Sequence, residues 1–167
     1  MAPMPGETVT VLASAEGPFA PGPAPIHIAL TPASTAGQPR SLATAVDRLK
    51  PDEHIVLVLH GLRADAPPGA LFQIYLNLPD RQLPAAADLQ DLHRIGTLNF
   101  FGAVRPPGVE AARDAAGRSY RFDMTAVAAG LQARRRLNGP ATITIQPMGT
   151  PSPDAHASIG RVEIVQQ

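Results

Sequence analysis

The chain has 167 residues, enough for one domain with a sizeable core, and it contains no cysteine. Disulfides, thiolate catalysis and metal sites built on thiolates are therefore excluded. Fourteen basic residues balance fourteen acidic ones, so no net positive field draws the protein to nucleic acid or to an anionic membrane. We expect neither as a partner.

The first residues show none of the features of an export signal. Met1 to Gly6 carries no basic start and no apolar stretch, and no later apolar run approaches the ~20 residues that span a bilayer. We expect a soluble protein, cytoplasmic by default.

Short segments with apolar residues at alternate positions, separated by prolines and glycines, recur along the chain. They predict about eight strands: Glu7–Ala13, Ile26–Leu30, His54–Leu62, Leu71–Leu78, Ile95–Gly102, Ser119–Asp123, Ala141–Gln146 and Ile159–Val165. The pattern predicts an all-β fold, an antiparallel β-sandwich of jelly-roll type. We expect an extended N-terminal segment with a first strand over 1–25 and the sandwich domain over 26–167.

Three stretches of the sequence predict their own structure in more detail. The stretch Glu16–Pro25, between the first two strands, is rich in proline and glycine and predicts a loop or an extended connector. The run His54–Leu62 is too continuously apolar to be half exposed, so we expect a central strand with both faces covered. In Leu71–Leu78, alternation places Phe72 and its apolar neighbours on a core face and Gln73, Tyr75 and Asn77 on the other face.

One short helix is predicted from about Thr125 to Arg136, with Asp123 or Thr125 as N-cap and the arginine run 134–136 in the last turn. The sequence Asn-Gly-Pro at 138–140 ends it. A weaker helical pattern covers Ser41–Leu49, where apolar residues recur every three or four positions.

A search for catalytic or metal-binding patterns finds little. His54 and His60 lie six residues apart on one strand, roughly 20 Å at the strand rise, too far to share an ion. Met148 with His156 is a conceivable soft Cu(I) pair, because thioether and imidazole suit that ion. There is no Gly-x-Ser-x-Gly elbow or phosphate loop, and scattered Ser, His and Asp residues make no triad without geometry. We expect no catalytic residues.

The order of segments resembles the C-terminal domain of tyrosinases and polyphenol oxidases. Leu71–Asn77 is similar to that family's "KFDVYIN"-like strand; the apolar strand His54–Leu62 precedes it and Ile95–Phe100 follows it. The remaining matches are the strand-to-helix step from Phe122 through Leu131, the strand Thr142–Pro147 and the closing strand Ile159–Ile164. The resemblance covers roughly Ile26 to the C-terminus.

The resemblance implies a non-catalytic β-sandwich that covers the entrance of a copper site and controls latency or maturation. A type-3 copper centre takes three histidines for each of two coppers, whereas this chain has five histidines. The copper would therefore belong to a tyrosinase-like catalytic domain, which this chain meets in trans or from which processing has separated it. Phe100, Phe101 and Phe19, which lie near turns, are the candidates for a side chain that enters the partner; the alternative for each is core packing.

Two other functions remain open from the sequence. The chain would handle copper if Met148 and His156 bound Cu(I). It would alternatively be a free-standing sandwich that binds protein or carbohydrate through its loops, since a fold does not fix a function.

Overall fold

The computed structural model describes residues 9–35, 37–39, 41–77, 92–100, 118–137 and 139–167. The strands in this part of the chain are β1 Thr10–Phe19, β2 Ile26–Ala29, β3 Thr31–Pro32, β4 Ser34–Thr35, β5 Gln38–Pro39, β6 Ile55–Leu62, β7 Leu71–Leu76, β8 Arg94–Leu98, β9 Arg118–Asp123, β10 Thr142–Met148 and β11 Ile159–Gln166. Most of them form a five-stranded sheet in the order β3-β1-β11-β6-β9 and a four-stranded sheet in the order β2-β10-β7-β8. The predicted all-β antiparallel sandwich is confirmed.

The two large sheets enclose one hydrophobic core. Apolar side chains from both sheets belong to a single buried cluster, with Leu57 and Leu59 from β6 facing Phe72 and Ile74 from β7. All strand pairs in these sheets are antiparallel. Burial of these side chains is the main favourable term that holds the sheets together.

Strand β6 lies inside its sheet, between β11 and β9, as its continuous apolar sequence predicts. Ile55 to Leu59 are all buried. Val56 and Val58 point away from the main core and form a second buried cluster with Val165 of β11. Both faces of the first half of β6 are therefore covered.

The loop predicted from Glu16 is wrong in its first part, because β1 continues to Phe19. Glu16 pairs with Arg161 and Phe19 with Ile159, across a shift in register between them. A Cβ atom on Gly17 would stand 2.6 Å from the carbonyl oxygen of Ile159, so only glycine allows β1 and β11 to approach this closely. This close approach allows β1 to continue through a sequence whose proline and glycine content predicts a loop.

Tyr75 departs from the simple alternation rule. It faces away from the main core, as predicted, since Ile74 and Leu76 on either side of it belong to the core cluster and Tyr75 does not. Nevertheless Tyr75 is 0% and Thr144 1% exposed. The hydroxyl of Tyr75 donates to the side-chain oxygen of Gln73, and the Thr144 hydroxyl is 2.9 Å from His27 Nδ1. Hydrogen bonds thus satisfy polar groups on a face that strand periodicity assigns to solvent.

Two helices lie at the same end of the sandwich, α1 Leu42–Asp47 and α2 Thr125–Ala133. Ser41 caps α1, since its side chain accepts a hydrogen bond from the Thr44 amide at 3.4 Å. The side chain of Gln132 in α2 donates to the Asp47 carboxylate at 3.1 and 3.2 Å. Both predicted helices are present.

The start of α2 differs in detail from the predicted cap. Met124 occupies the N-cap position without a side-chain hydrogen bond, and Asp123, one residue earlier, accepts from the Thr125 amide at 3.0 Å and from its hydroxyl at 2.6 Å. The Thr125 hydroxyl in turn accepts from the Ile55 amide at 2.9 Å. Arg134 is the C-cap, so the arginine run begins at the helix end and not in its last turn.

Hydrogen bonds lower the pKa of Asp123 below its usual range. The Thr125 hydroxyl and then the Thr125 amide are the main causes, and His54, 3.1 Å away, adds a smaller contribution. Burial acts in the opposite direction. The ionised carboxylate therefore joins the end of β9, the start of α2 and the residue before β6.

Strands β8 and β9 close one side of the sandwich. They are the outer strands of the two large sheets, and a Cβ atom on Gly96 would lie 2.8 Å from Cδ1 of the Phe122 ring. The ring therefore rests on the bare backbone of Gly96. This contact sets how closely the two sheets meet along that side.

We expect Gly96→Ala to lower the free energy of unfolding by about 1–2 kcal/mol, because the added methyl group overpacks the contact with Phe122. Chemical denaturation monitored by circular dichroism measures the change. Gly130→Ala is the matched control, since its Cβ would meet no atom closer than 3.9 Å and alanine stabilises a helix interior by about 0.5–1 kcal/mol. Equal effects from the two substitutions would contradict the packing that we describe.

We expect the stabilising effect of Asp123 to depend on pH. The pKa of Asp123 is lower in the folded state than in the unfolded chain. Its contribution to the free energy of unfolding is therefore present above the pKa of the unfolded chain, about 3.9, and is lost as the pH falls through the pKa of the folded state. Asp123→Asn should cost about 0.5 kcal/mol at pH 7, a small figure because the side chain is more than half exposed. The control Asp52→Asn removes an exposed carboxylate that lies outside this hydrogen-bonded group. If the loss of free energy of unfolding caused by Asp123→Asn does not shrink below about pH 4, this role of the Asp123 carboxylate is refuted.

Candidate functional site

Several chain connections meet at one end of the sandwich, which we call the open end. The β1–β2 connection (20–25), the β6–β7 connection (63–70) and the β10–β11 connection (149–158) all lie there, because strands β1, β6 and β10 run toward that end. Residues 99–100, which follow β8, lie there too, since Leu98 pairs with Phe72 near the start of β7. Loops gathered at one end of a rigid sandwich are a common place for binding sites.

Backbone hydrogen bonds join two of these connections to each other. Arg63 and Ser158 exchange a pair of bonds of 3.0 and 2.8 Å, and the Asp65 amide donates to the Ala155 carbonyl at 2.6 Å. Farther along, the Ser152 amide donates to the Pro68 carbonyl at 2.7 Å. The β6–β7 and β10–β11 connections therefore form one braced wall.

An apolar cavity of about 420 Å³ opens beside this wall. The described residues of its lining are almost entirely apolar and include two successive prolines: Pro67, Pro68, Gly69, Ala70, Leu71, Asn99 and Phe100. Prolines fix the backbone in advance, so little conformational freedom is lost when such a surface binds a partner. The cavity has the apolar lining that buries an apolar group.

Two exposed apolar side chains stand at the edge of the cavity. Leu71 is 40% and Met148 49% exposed, and the two are direct partners across the β7–β10 ladder. Among the described residues Val9 is the other large apolar side chain with such exposure, and it lies just before β1 at the far end of the sandwich. We call Leu71, Met148 and the lining of the cavity the apolar patch.

The three phenylalanines predicted to enter a partner have different places. Phe100 is 1% exposed and packs edge-to-face against Phe72, with ring centroids 5.7 Å apart. The prediction of a projecting side chain is therefore wrong for Phe100, because its ring fills the core and contributes to the wall of the cavity. Phe19 is half-buried and packs against the core at the end of β1. Phe101 lies outside the described residues.

The histidines lie apart from one another, and each has its own partner. His54 is 3.1 Å from Asp123, His60 is 3.0 Å from Glu163, and His156 is 3.0 Å from Asp65. His27 meets Thr144, and the buried His93 donates from Nδ1 to the Leu76 carbonyl at 2.7 Å. In the parts of the chain that the structure describes, no three His, Asp or Glu side chains converge as metal ligands would.

The two residues of the predicted Cu(I) pair both belong to the β10–β11 side of the open end. Met148 is part of the apolar patch, whereas His156 is bonded through Nδ1 to the Asp65 carboxylate. His156 has a φ of 45°, in the left-handed region, and ends a short 3-10 helix, Pro153–Ala155. Copper binding by this pair stays a prediction.

Within the described ranges, no helix is long and apolar enough to cross a membrane.

Sequence and structure comparisons give a family and a fold. No curated protein matches the chain. Among solved structures, latent apple tyrosinase aligns with a TM-score of 0.51 at 17% identity, covering 90% of this chain and 27% of its own. A recombinantly expressed latent aurone synthase (polyphenol oxidase) aligns with a TM-score of 0.50 at 14% identity, covering 92% of this chain and 26% of its own.

At these identities the likeness is one of fold, and the chain spans about a quarter of the length of the proteins that it matches. A family model described as "Domain of unknown function (DUF7868)" matches residues 11–167, which include nearly all of the two large sheets. The chain belongs to this DUF7868 family.

Proposed function

We propose that this chain is a domain without oxidase activity of its own that docks, through its open end, on a tyrosinase-like copper domain and shields the entrance to that partner's active site. The observation that carries the proposal is the apolar patch, a preformed cavity with Leu71 and Met148 exposed at its edge. Exposed apolar patches of this kind mark contacts with other proteins more often than the rest of a protein surface does.

The fold supports the choice of partner. The chain aligns along nine-tenths of its length with part of a latent tyrosinase and part of a latent polyphenol oxidase. The order of segments in the sequence resembles the C-terminal domain of the same enzymes. The proposed partner is therefore the kind of domain that occupies the remainder of those chains.

In this proposal the copper belongs to the partner. Three of the five histidines each contact a carboxylate, and the two others are bonded to Thr144 and to the Leu76 carbonyl. The residues described here do not offer the converging imidazoles that a copper pair requires. The role of this chain toward the copper site is to bind and to exclude solvent and substrate.

The geometry at Phe100 changes how docking would work. The sequence predicts a side chain that projects into the partner, whereas the structure has a cavity where Phe100 forms part of the wall. In our proposal the partner contributes an apolar side chain to this cavity. Leu71 and Met148 then pack around that side chain and exclude water from it.

The test is to titrate the purified chain against a tyrosinase-like copper domain and to follow both binding and diphenol oxidation. We expect a complex with lowered oxidation. The double variant Leu71→Ser with Met148→Ser should weaken binding at least about tenfold, because burial of one such side chain contributes about 1.5–3 kcal/mol.

Val9→Ser is the matched control, since it removes an equally exposed apolar side chain at the far end of the sandwich. It should leave binding unchanged. A complex that forms equally well with the unaltered chain, the double variant and Val9→Ser would exclude the apolar patch as the docking surface, and no complex with any copper domain would exclude the shielding function.

A further inference from the structure

A row of polar side chains crosses the outer face of the five-stranded sheet at its open end. Ser119 Oγ on β9 is 3.3 Å from His60 Nδ1 on β6, and His60 Nε2 is 3.0 Å from Glu163 Oε1 on β11. Arg161 Nε continues the row, 3.1 Å from Glu163 Oε1 and 3.2 Å from Glu16 Oε1 on β1. A hydroxyl, an imidazole and a carboxylate therefore stand in series.

The partners of His60 determine which ring nitrogen carries the proton. An ionised carboxylate only accepts hydrogen bonds, so the Nε2 atom beside Glu163 donates. In the neutral imidazole, Nδ1 then holds the lone pair and accepts the hydroxyl proton of Ser119. This is the tautomer in which the imidazole can take a proton from that serine.

Glu163 is well placed to orient this base. Its side chain is 12% exposed, whereas that of Glu16 is 72% exposed. The Nε–H of Arg161 is aligned with neither carboxylate, so these contacts are ion pairs and not hydrogen bonds. The charge of Glu163 therefore lies between a guanidinium group and the imidazole, where it stabilises the imidazolium that forms when Ser119 gives up its proton.

An irregularity in strand β6 brings the base to the serine. The pairing of β6 with β9 shifts register between Leu59 and Leu62, across from Ser119, and Gly61 within it has a φ of 67°. Bulges of this kind re-aim side chains and are common beside active sites. Ser119 is exposed, and a cavity of about 320 Å³ borders the same imidazole, lined also by Gly61, Arg63 and Arg161.

We propose that Ser119 is an activated nucleophile that accepts an acyl group from activated esters, with His60 as its base and Glu163 as the residue that positions His60. The serine oxygen forms a bond to the ester carbonyl carbon while the bond from that carbon to the alcohol oxygen breaks. His60 Nδ1 takes the serine proton and returns it to the departing alcohol. The products are acyl-Ser119 and one alcohol, with no oxidant or cofactor required. Water releases the acid in a second step.

This site is separate from the apolar patch, although both lie at the open end. Among the described residues, the cavity beside His60 shares none of its lining with the cavity of the apolar patch. The inference therefore goes beyond the shielding function, and either of the two can fail without the other.

The alternative is a row that only joins four strands by hydrogen bonds and ion pairs. Such a row would leave the hydroxyl of Ser119 no more reactive than that of any exposed serine. The two cases differ in the chemistry of Ser119 and not in the stability of the fold. Chemical reactivity is therefore the measurement that separates them.

The experiment treats the full chain with p-nitrophenyl acetate and follows p-nitrophenolate release together with peptide mass mapping. We expect acetylation of Ser119 at least about tenfold faster than that of Ser41, an exposed serine whose side chain accepts a hydrogen bond from the Thr44 amide. Ser119→Ala should abolish the mapped adduct, and His60→Gln should slow its formation at least about tenfold. Ser41→Ala should change nothing. Glu163→Gln should slow acetylation less than His60→Gln, because it leaves the base in place.

A pH profile of the unaltered chain keeps the test independent of whether the variants fold. The rate should fall on acidification, because the proposed step requires an unprotonated base. Among the described residues, the charged groups that face this imidazole, border its cavity or flank Ser119 are Glu163 and Arg161 on β11, Glu16 on β1, Arg63 after β6 and Arg118 on β9. A flat profile, equal labelling of Ser119 and Ser41, or an adduct on His60 in place of Ser119 would each overturn the proposal.

Discussion

The burial of β6 is the constraint on which the other strands depend. Ile55 to Leu59 form a run without a polar face, so the strand is stable only where both sides are covered. Leu57 and Leu59 face the main core, while Val56 and Val58 pack with Val165 on the opposite side. This requirement places β6 between β11 and β9 and directs its C-terminal half, at His60 and Gly61, toward the open end.

The open end owes its shape to the two connections that brace each other. Bonds from residues 63, 65 and 68 to residues 158, 155 and 152 fix the β6–β7 connection against the β10–β11 connection. Pro67 and Pro68 line the same cavity as the ring of Phe100, which is itself held by Phe72. The cavity therefore follows from backbone bonds and core packing, both of which exist before any partner arrives. Preformed surfaces bind with a smaller loss of entropy than surfaces that order on contact.

The sequence was sufficient for the long strands with a clear apolar pattern, but not for the extension of β1 or for the two-residue strands β3, β4 and β5. Alternation and breakers predict β6, β7, β10 and β11 to within two residues, because each has its own apolar pattern. The extension of β1 past Ala13 depends on a close approach between Gly17 and β11, which no local pattern contains. The burial of Tyr75 likewise depends on contacts that alternation does not include. The candidate sites show the same limit: Phe100 stands two positions before Gly102 in the sequence, yet one aromatic partner, Phe72, brings it into the core. Ser119 and His60 are 59 residues apart along the chain and meet only because β6 pairs with β9.

The outer strands of the sheets have a consequence for how this protein meets others. Strand β3 has two residues, β2 has four, and β9 presents Arg118, Arg121 and Asp123 to solvent in turn. Short or charged edge strands discourage a strand of another chain from adding to a sheet. Such strand addition is a common route to fibres and uncontrolled assembly. Along these three strands a second chain therefore finds little to extend. The loops of the open end, by contrast, lie along the strand axis, and a contact made there does not lengthen either sheet.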